Sequence, residues 1–174
     1  AVELCKKSIE DAVILGAPVV MIPTCWKDGR SSAESRRNWI EGLKDVAPIA
    51  ADVGVALTVE NFPGKDSPFV TADHFLQAAA EVPELKLTYD SGNAASGEDP
   101  VESFSNTSAY VVHAHFKDWD ISDEPGDGYR EMLDGRYYKP ALIGEGAIPH
   151  KEIIETIKSA GYKGFINIEY EGNE

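Results

Sequence analysis

The chain has 174 residues, the size of one domain, and 43% of them are hydrophobic, ample for a core. A formal net charge of −14 argues against a nucleic-acid or anionic-membrane partner, because gripping phosphates takes clustered Lys and Arg, and it points to a small solute instead. Two cysteines, Cys5 and Cys25, make a disulfide framework improbable, and no run approaches a membrane span, so a reducing cytoplasm is the expected setting.

Residues 1–16 place Leu4, Ile9, Ala12 and Val13 at helical spacing and stop on Gly16, ahead of the apolar run PVVMIPTCW. Ser31 and Ser32 open the next predicted helix, where Trp39, Leu43 and Val46 share a face and Pro48 is expected to introduce a kink. The run VALTVEN and the loop NFPGKDSPFV follow, and Thr71 is a good N-cap for ADHFLQAAAEV. After LKLTYDSGN, residues 100–107 read as a short, weak helix before YVVHAHFKD. The stretch 117–150 reads as a long, Gly-rich, charged loop, of a length that in compact domains is usually functional or disordered. Finally Ile153, Ile154 and Ile157 mark a helix closed by Gly161 and Gly164, and INIEYEG ends the sequence pattern.

Short apolar runs alternating with helices at a period of about thirty residues predict an α/β fold of repeated βα units with buried parallel strands. In an all-parallel barrel the strand C-termini converge on one face. Four of the runs end on Glu60, Asp90, His115 and Glu169, so these four are expected to form one metal site. Any one of them alone would read as an ordinary rim residue, but four on successive strand ends would take four accidents. Two Glu, one Asp and one imidazole form a hard, oxygen-rich donor set that suits Mn²⁺, the expected ion, and also Mg²⁺, Co²⁺ or Zn²⁺. Five strands cannot close a barrel that needs eight. The expectation is therefore a single domain, residues 1–174, supplying about the last five βα units of a (β/α)8 TIM barrel, with pairing to a second copy or an open sheet as alternatives. The chain opens in a helix and lacks an initiator Met, and three βα units are expected upstream.

At these residues the chain resembles the sugar phosphate isomerase/epimerase family with the xylose isomerase-like TIM barrel, whose members include ketose 3-epimerases, inosose dehydratases and hydroxypyruvate isomerases, with endonuclease IV more distant. The resemblance rests on TVEN at 58–61, YDSGN at 89–93, HAHFKD at 113–118 and GEGAIPHKEIIETIKSAGYKGFINIEYEG at 144–172. It implies that Glu60, Asp90, His115 and Glu169 bind one divalent ion. His115 is preferred to its neighbour His113 because it matches the family's His-x-Lys-Asp pattern, and His113 is left as an inward-facing core or supporting residue. The resemblance also implies that Glu60 and Glu169 deliver and remove the substrate proton, and that Gly144 and Gly146 form a turn and not a phosphate loop.

Asn93 stands where 3-epimerases and endonuclease IV carry His, which counts against a three-metal nuclease, and its amide could still donate to a sugar hydroxyl. Lys117 and Asp118 either fix a substrate oxygen and orient the site or form a surface ion pair. Trp26 is a candidate floor for a sugar face. Asp66 and Arg130 are candidate substrate contacts, although Arg130, like Arg136 and Lys139, also reads as a solvated charge. The expected function is a metal-dependent isomerase or epimerase of a ketose or related polyol, acting through an enediolate formed by carboxylate proton abstraction. Alternatives are a dehydratase of a keto-inositol or dehydroshikimate, an endonuclease IV-like phosphodiesterase, and a non-catalytic, sugar-binding or incomplete fragment. A homo-oligomer is left open.

Overall fold

The computed structural model describes residues 1–27 and 29–172. In chain order the elements are α1 (Val2–Leu15), β1 (Val19–Ile22), α2 (Ser32–Asp52), β2 (Ala56–Glu60), α3 (Ala72–Glu81), β3 (Lys86–Asp90), α4 (Ser91–Ala95) and α5 (Pro100–Thr107). They continue with β4 (Val111–Phe116), β5 (Asp118–Ser122), β6 (Arg130–Glu131), β7 (Tyr137–Ala141), α6 (His150–Ser159) and β8 (Ile166–Ile168).

Local chemistry sets the helix ends. Gly16 adopts the left-handed conformation (φ 70°) that closes α1, a geometry costly for any residue with a Cβ. Ser31 and Glu34 form a reciprocal capping box at the start of α2, and the Thr71 and Asp99 side chains accept backbone N–H bonds at the starts of α3 and α5. Pro48 lies inside α2, which continues through it to Asp52.

The five apolar runs form one parallel sheet in the order β1-β2-β3-β4-β8. Successive side chains of a strand point to opposite faces. On β2 and β3 this sends Leu57, Val59, Leu87 and Tyr89 to the helical side, where they join Leu43, Val46, Phe75, Leu85, Phe104 and Ile153 in the buried core. The opposite face carries Thr58, Glu60, Thr88 and Asp90, continued on β4 by His113 and His115. α1 packs on α2, α2 on α3, α3 on α5 and α5 on α6, so the helices run in sequence around the outside of the sheet. This is the segment of a TIM barrel that five βα strands provide, with β1 and β8 as its two edges.

The stretch 117–150 is not an irregular loop throughout. β5, β7 and β6 pair antiparallel into a second, three-stranded sheet, with Asp118 opposite Ala141 and Arg130 opposite Tyr138. Trp119 and Tyr138, both fully buried, meet edge-on at its base with ring centroids 6.2 Å apart. Among the described residues no helix is long and apolar enough to cross a membrane.

Candidate metal centre

The sheet register builds the site. Glu60 lies beside Thr88, Asp90 beside His115 and His115 beside Asn167, so the C-terminal ends of β2, β3 and β4 present their polar side chains at one level. Glu169 follows directly after β8, its N–H bonded to the Phe116 carbonyl at 2.9 Å. His115 Nδ1 is 2.8 Å from Glu60 Oε1 and 3.0 Å from Glu169 Oε1. One donor atom from each of Glu60, Asp90, His115 and Glu169 lies within 4.8 Å of the others. Glu60, Asp90 and His115 are buried, and Glu169 is partly exposed.

These residues fit a divalent ion. Ligands about 2.1 Å from a common centre and roughly at right angles stand about 3 Å apart, which matches the His115–Glu60 and His115–Glu169 separations. Asp90 Oδ1 accepts the Asn93 N–H at 2.7 Å, but Oδ2 is buried without a hydrogen-bond partner, and the Lys117 ammonium at 3.7 Å is too far to supply one. A buried carboxylate oxygen left in this way is costly unless a cation completes it.

The electrostatics agree. Burial raises the Asp90 carboxyl to about 7; Lys117 opposes the shift and the Glu60 carboxylate adds to it. Burial lowers the His115 imidazole, but the hydrogen bond and charge of Glu60, with Glu169 and Asp90, outweigh it and leave the imidazole above its usual value. Burial likewise works against the Lys117 ammonium, yet Asp90, Glu171 and Glu169 hold it protonated. A cluster this rich in carboxylates calls for positive charge, and the protein itself supplies one lysine.

Lys117 and Asp118 are both buried, at 2% and 1% exposure, so neither belongs to a surface ion pair. Lys117 Nζ reaches Glu171 at 2.6 Å and Glu169 at 3.2 Å. Asp118 points the other way: its carboxylate accepts the N–H groups of Trp119, Gly144, Gly146 and Ile148 and so builds the turn before α6. Asn93 is buried beside the cluster, Oδ1 3.5 Å from Lys117 Nζ and Nδ2 without a partner. Trp26 and Phe62, from the loops after β1 and β2, lie with ring centroids 6.4 Å apart. Asp66 is exposed in the loop after β2, and Arg130 is exposed on β6 and reaches Glu171 at 3.5 Å. The His113 and His115 rings meet edge-on at 4.7 Å.

Two contributors carry no role in the sequence reading. Asn61 donates to the Asp90 carbonyl and accepts the Asp90 N–H, both at 2.8 Å, pinning the end of β3 to the end of β2. Its place inside TVEN, next to Glu60, was the available signal. Glu171 joins Lys117 to Arg130, and its signal was the two-residue step from Glu169 along an extended chain.

Parallel strands carrying a carboxylate–imidazole cluster at their C-terminal ends, with helices outside, define a βα-barrel segment whose rim cluster could hold a metal ion. The family model of xylose isomerase-like TIM barrels matches residues 1–174, and the chain belongs to that family. An uncharacterized protein of Methanocaldococcus jannaschii is 30% identical over 179 residues, covering 97% of this chain and 56% of that protein. An inosose dehydratase of Lacticaseibacillus casei is 28% identical over 134 residues, 75% of this chain and 45% of the enzyme. The crystal structure of a D-tagatose 3-epimerase-like protein aligns with a TM-score of 0.75 at 25% identity, covering 97% of this chain and 61% of that one. The chain spans about half the length of the curated relatives it matches.

Proposed function

We propose that residues 1–174 are the C-terminal portion of a barrel enzyme that uses one divalent ion, Mn²⁺ by preference, to isomerise or epimerise a ketose or related polyol ketone. The observation that carries this reading is the convergence of Glu60 and Glu169, from non-adjacent strands, on the same imidazole nitrogen at 2.8 and 3.0 Å. Glu60, Asp90, His115 and Glu169 would hold the ion, which supplies Lewis acidity to polarise the substrate carbonyl. Glu60 and Glu169 stand on either side of the Asp90–His115 pair, so one can take the proton from the carbon next to the carbonyl and the other can return it. Glu60 is buried and shielded, whereas Glu169 sits at the open rim, so the two carboxylates present different access to solvent protons. Asn93 Nδ2, buried and unpaired, is available to donate to a substrate hydroxyl.

The enediolate left by proton removal can be reprotonated on the opposite face or the adjacent carbon, or it can expel a β-hydroxyl. Dehydration of a keto-inositol is the second reading, and the 28% identity to an inosose dehydratase favours it. A panel of ketoses and keto-inositols in D₂O separates the two: exchange with epimer formation supports the first, an enone absorbance with water loss the second. Exchange that persists undiminished in both Glu60→Gln and Glu169→Gln would remove the carboxylate pair from the mechanism.

A further inference from the structure

Glu171 lies two residues beyond Glu169 and faces the same way. Its Oε1 is 2.6 Å from Lys117 Nζ and its Oε2 is 3.5 Å from an Arg130 guanidinium nitrogen. Both cations also stand over the Trp119 ring, 6.0 and 5.8 Å from its centroid. Lys117 is buried beside the cluster, Arg130 is exposed outside it, and one carboxylate spans the two. With a divalent ion bound, the charges of Glu60, Asp90 and Glu169 are matched by the ion and Lys117. Arg130 and Glu171 then match each other, and the mouth is electrically neutral. The donor left over is the amide of Asn93, a partner for a hydroxyl and a weak one for a phosphate.

We propose that Glu171 is a specificity-determining residue that fits the mouth of the site to uncharged polyol ketones and turns away phosphorylated or carboxylated ones by occupying both cations that would bind them. An anion approaching either cation meets the repulsion of the Glu171 carboxylate that bridges them, and discrimination by such a repulsive element needs no contact with the preferred ligand. This inference rests on the polyol-ketone reading, but its test measures anion binding without turnover, so the two fail separately.

Sulfate, a weak ligand of divalent ions, is the probe, titrated calorimetrically onto the Mn²⁺-loaded full chain at fixed ionic strength. Glu171→Gln keeps the size of the side chain and frees one positive charge, so sulfate should bind about tenfold tighter or more than to the parent protein. Adding Arg130→Met should abolish the gain, and Glu171→Asp, which keeps the charge, should bind sulfate as the parent does. Should Glu171→Gln fail to fold by circular dichroism, Glu171→Ser carries the same expectations. Sulfate binding equally tight in the parent and in Glu171→Gln, or a gain that survives the loss of Arg130, would overturn the assignment.

Discussion

The carboxylate of Asp118 accepts backbone N–H bonds from Trp119 at 2.9 Å, Gly144 at 2.8 Å, and Gly146 and Ile148 at 3.1 Å. Burial would raise this carboxyl, but the amides outweigh burial and hold it below the usual carboxylate range. The sign of the pH dependence follows. The folded carboxyl binds its proton less readily than the unfolded one, so its stabilisation is complete above the unfolded value of about 4 and is lost as pH falls through the lower folded value. Asp118→Asn should therefore lower stability by about 1–3 kcal/mol at pH 7, the worth of charged hydrogen bonds in a buried site, and the gap should narrow below pH ~4. Urea titrations at several pH values measure it, and a gap independent of pH would contradict this account. At the metal centre, His115→Ala should abolish uptake of Mn²⁺ followed by electron paramagnetic resonance. Glu169→Gln should cut turnover by ~10²–10⁴-fold with a smaller effect on metal affinity. The convergence of Glu60, Asp90, His115 and Glu169 was legible in the sequence because each ends an apolar run, and strand ends of a barrel share a face. Asn61 and Glu171 escaped because their contacts run sideways, from one strand end to another, and leave no periodic trace.

At the level of elements, helix signals were the most readable because they are local: Gly16, Ser31 and Thr71 act where their types indicate. Ser31→Ala removes the hydroxyl arm of the capping box, leaves the backbone N–H bond to Glu34 in place, and should lower the stability of α2 by ~1 kcal/mol, measured as a drop in melting temperature. The second sheet was not legible. β6 is two residues long, β5 and β7 are short and interrupted by charges and Pro140, and their pairing is decided by Trp119 and Tyr138 at the base. Packing of that kind overrides strand propensity. α4 depends on a close approach, because a Cβ added to Gly92 would lie 2.6 Å from the Lys117 carbonyl oxygen and 2.8 Å from Trp119 Nε1. Gly92→Ala should therefore push α4 away from β4, at a cost of about 1–3 kcal/mol, and displace Lys117 from the carboxylates. Unchanged stability would show that the two elements have slack between them.

For the molecule as a whole, exposed apolar residues gather on α1, at Leu4, Val13, Ile14 and Leu15, and at β8, at Phe165, Ile166 and Ile168, while Ile49, Val53, Leu133 and Leu142 are exposed elsewhere. Phe165, 81% exposed, directly precedes the edge strand β8 and Ile168, 71% exposed, lies on it, and an open apolar edge templates association. Expressed by itself, the 174-residue chain should self-associate, and light scattering showing a stable monomer would contradict this. The parallel order of the sheet could be read from the sequence because βα alternation permits little else; what lies against its two edges could not, since an edge strand and an inner strand share the same apolar pattern. The antiparallel excursion carries a different lesson. Asp118 ties its root to the turn before α6, and the Tyr138 hydroxyl donates to the Ala95 carbonyl at 2.7 Å. Its tip, between Ser122 and Tyr129, hangs from this fixed base. Doubling the length of such a tip costs only ~0.6 kcal/mol of closure entropy. Descendants of this protein can therefore lengthen, shorten or rewrite the tip while the base, and the cluster of Glu60, Asp90, His115 and Glu169 on the neighbouring strand ends, stay as they are: invention in one part of the chain and inheritance in another.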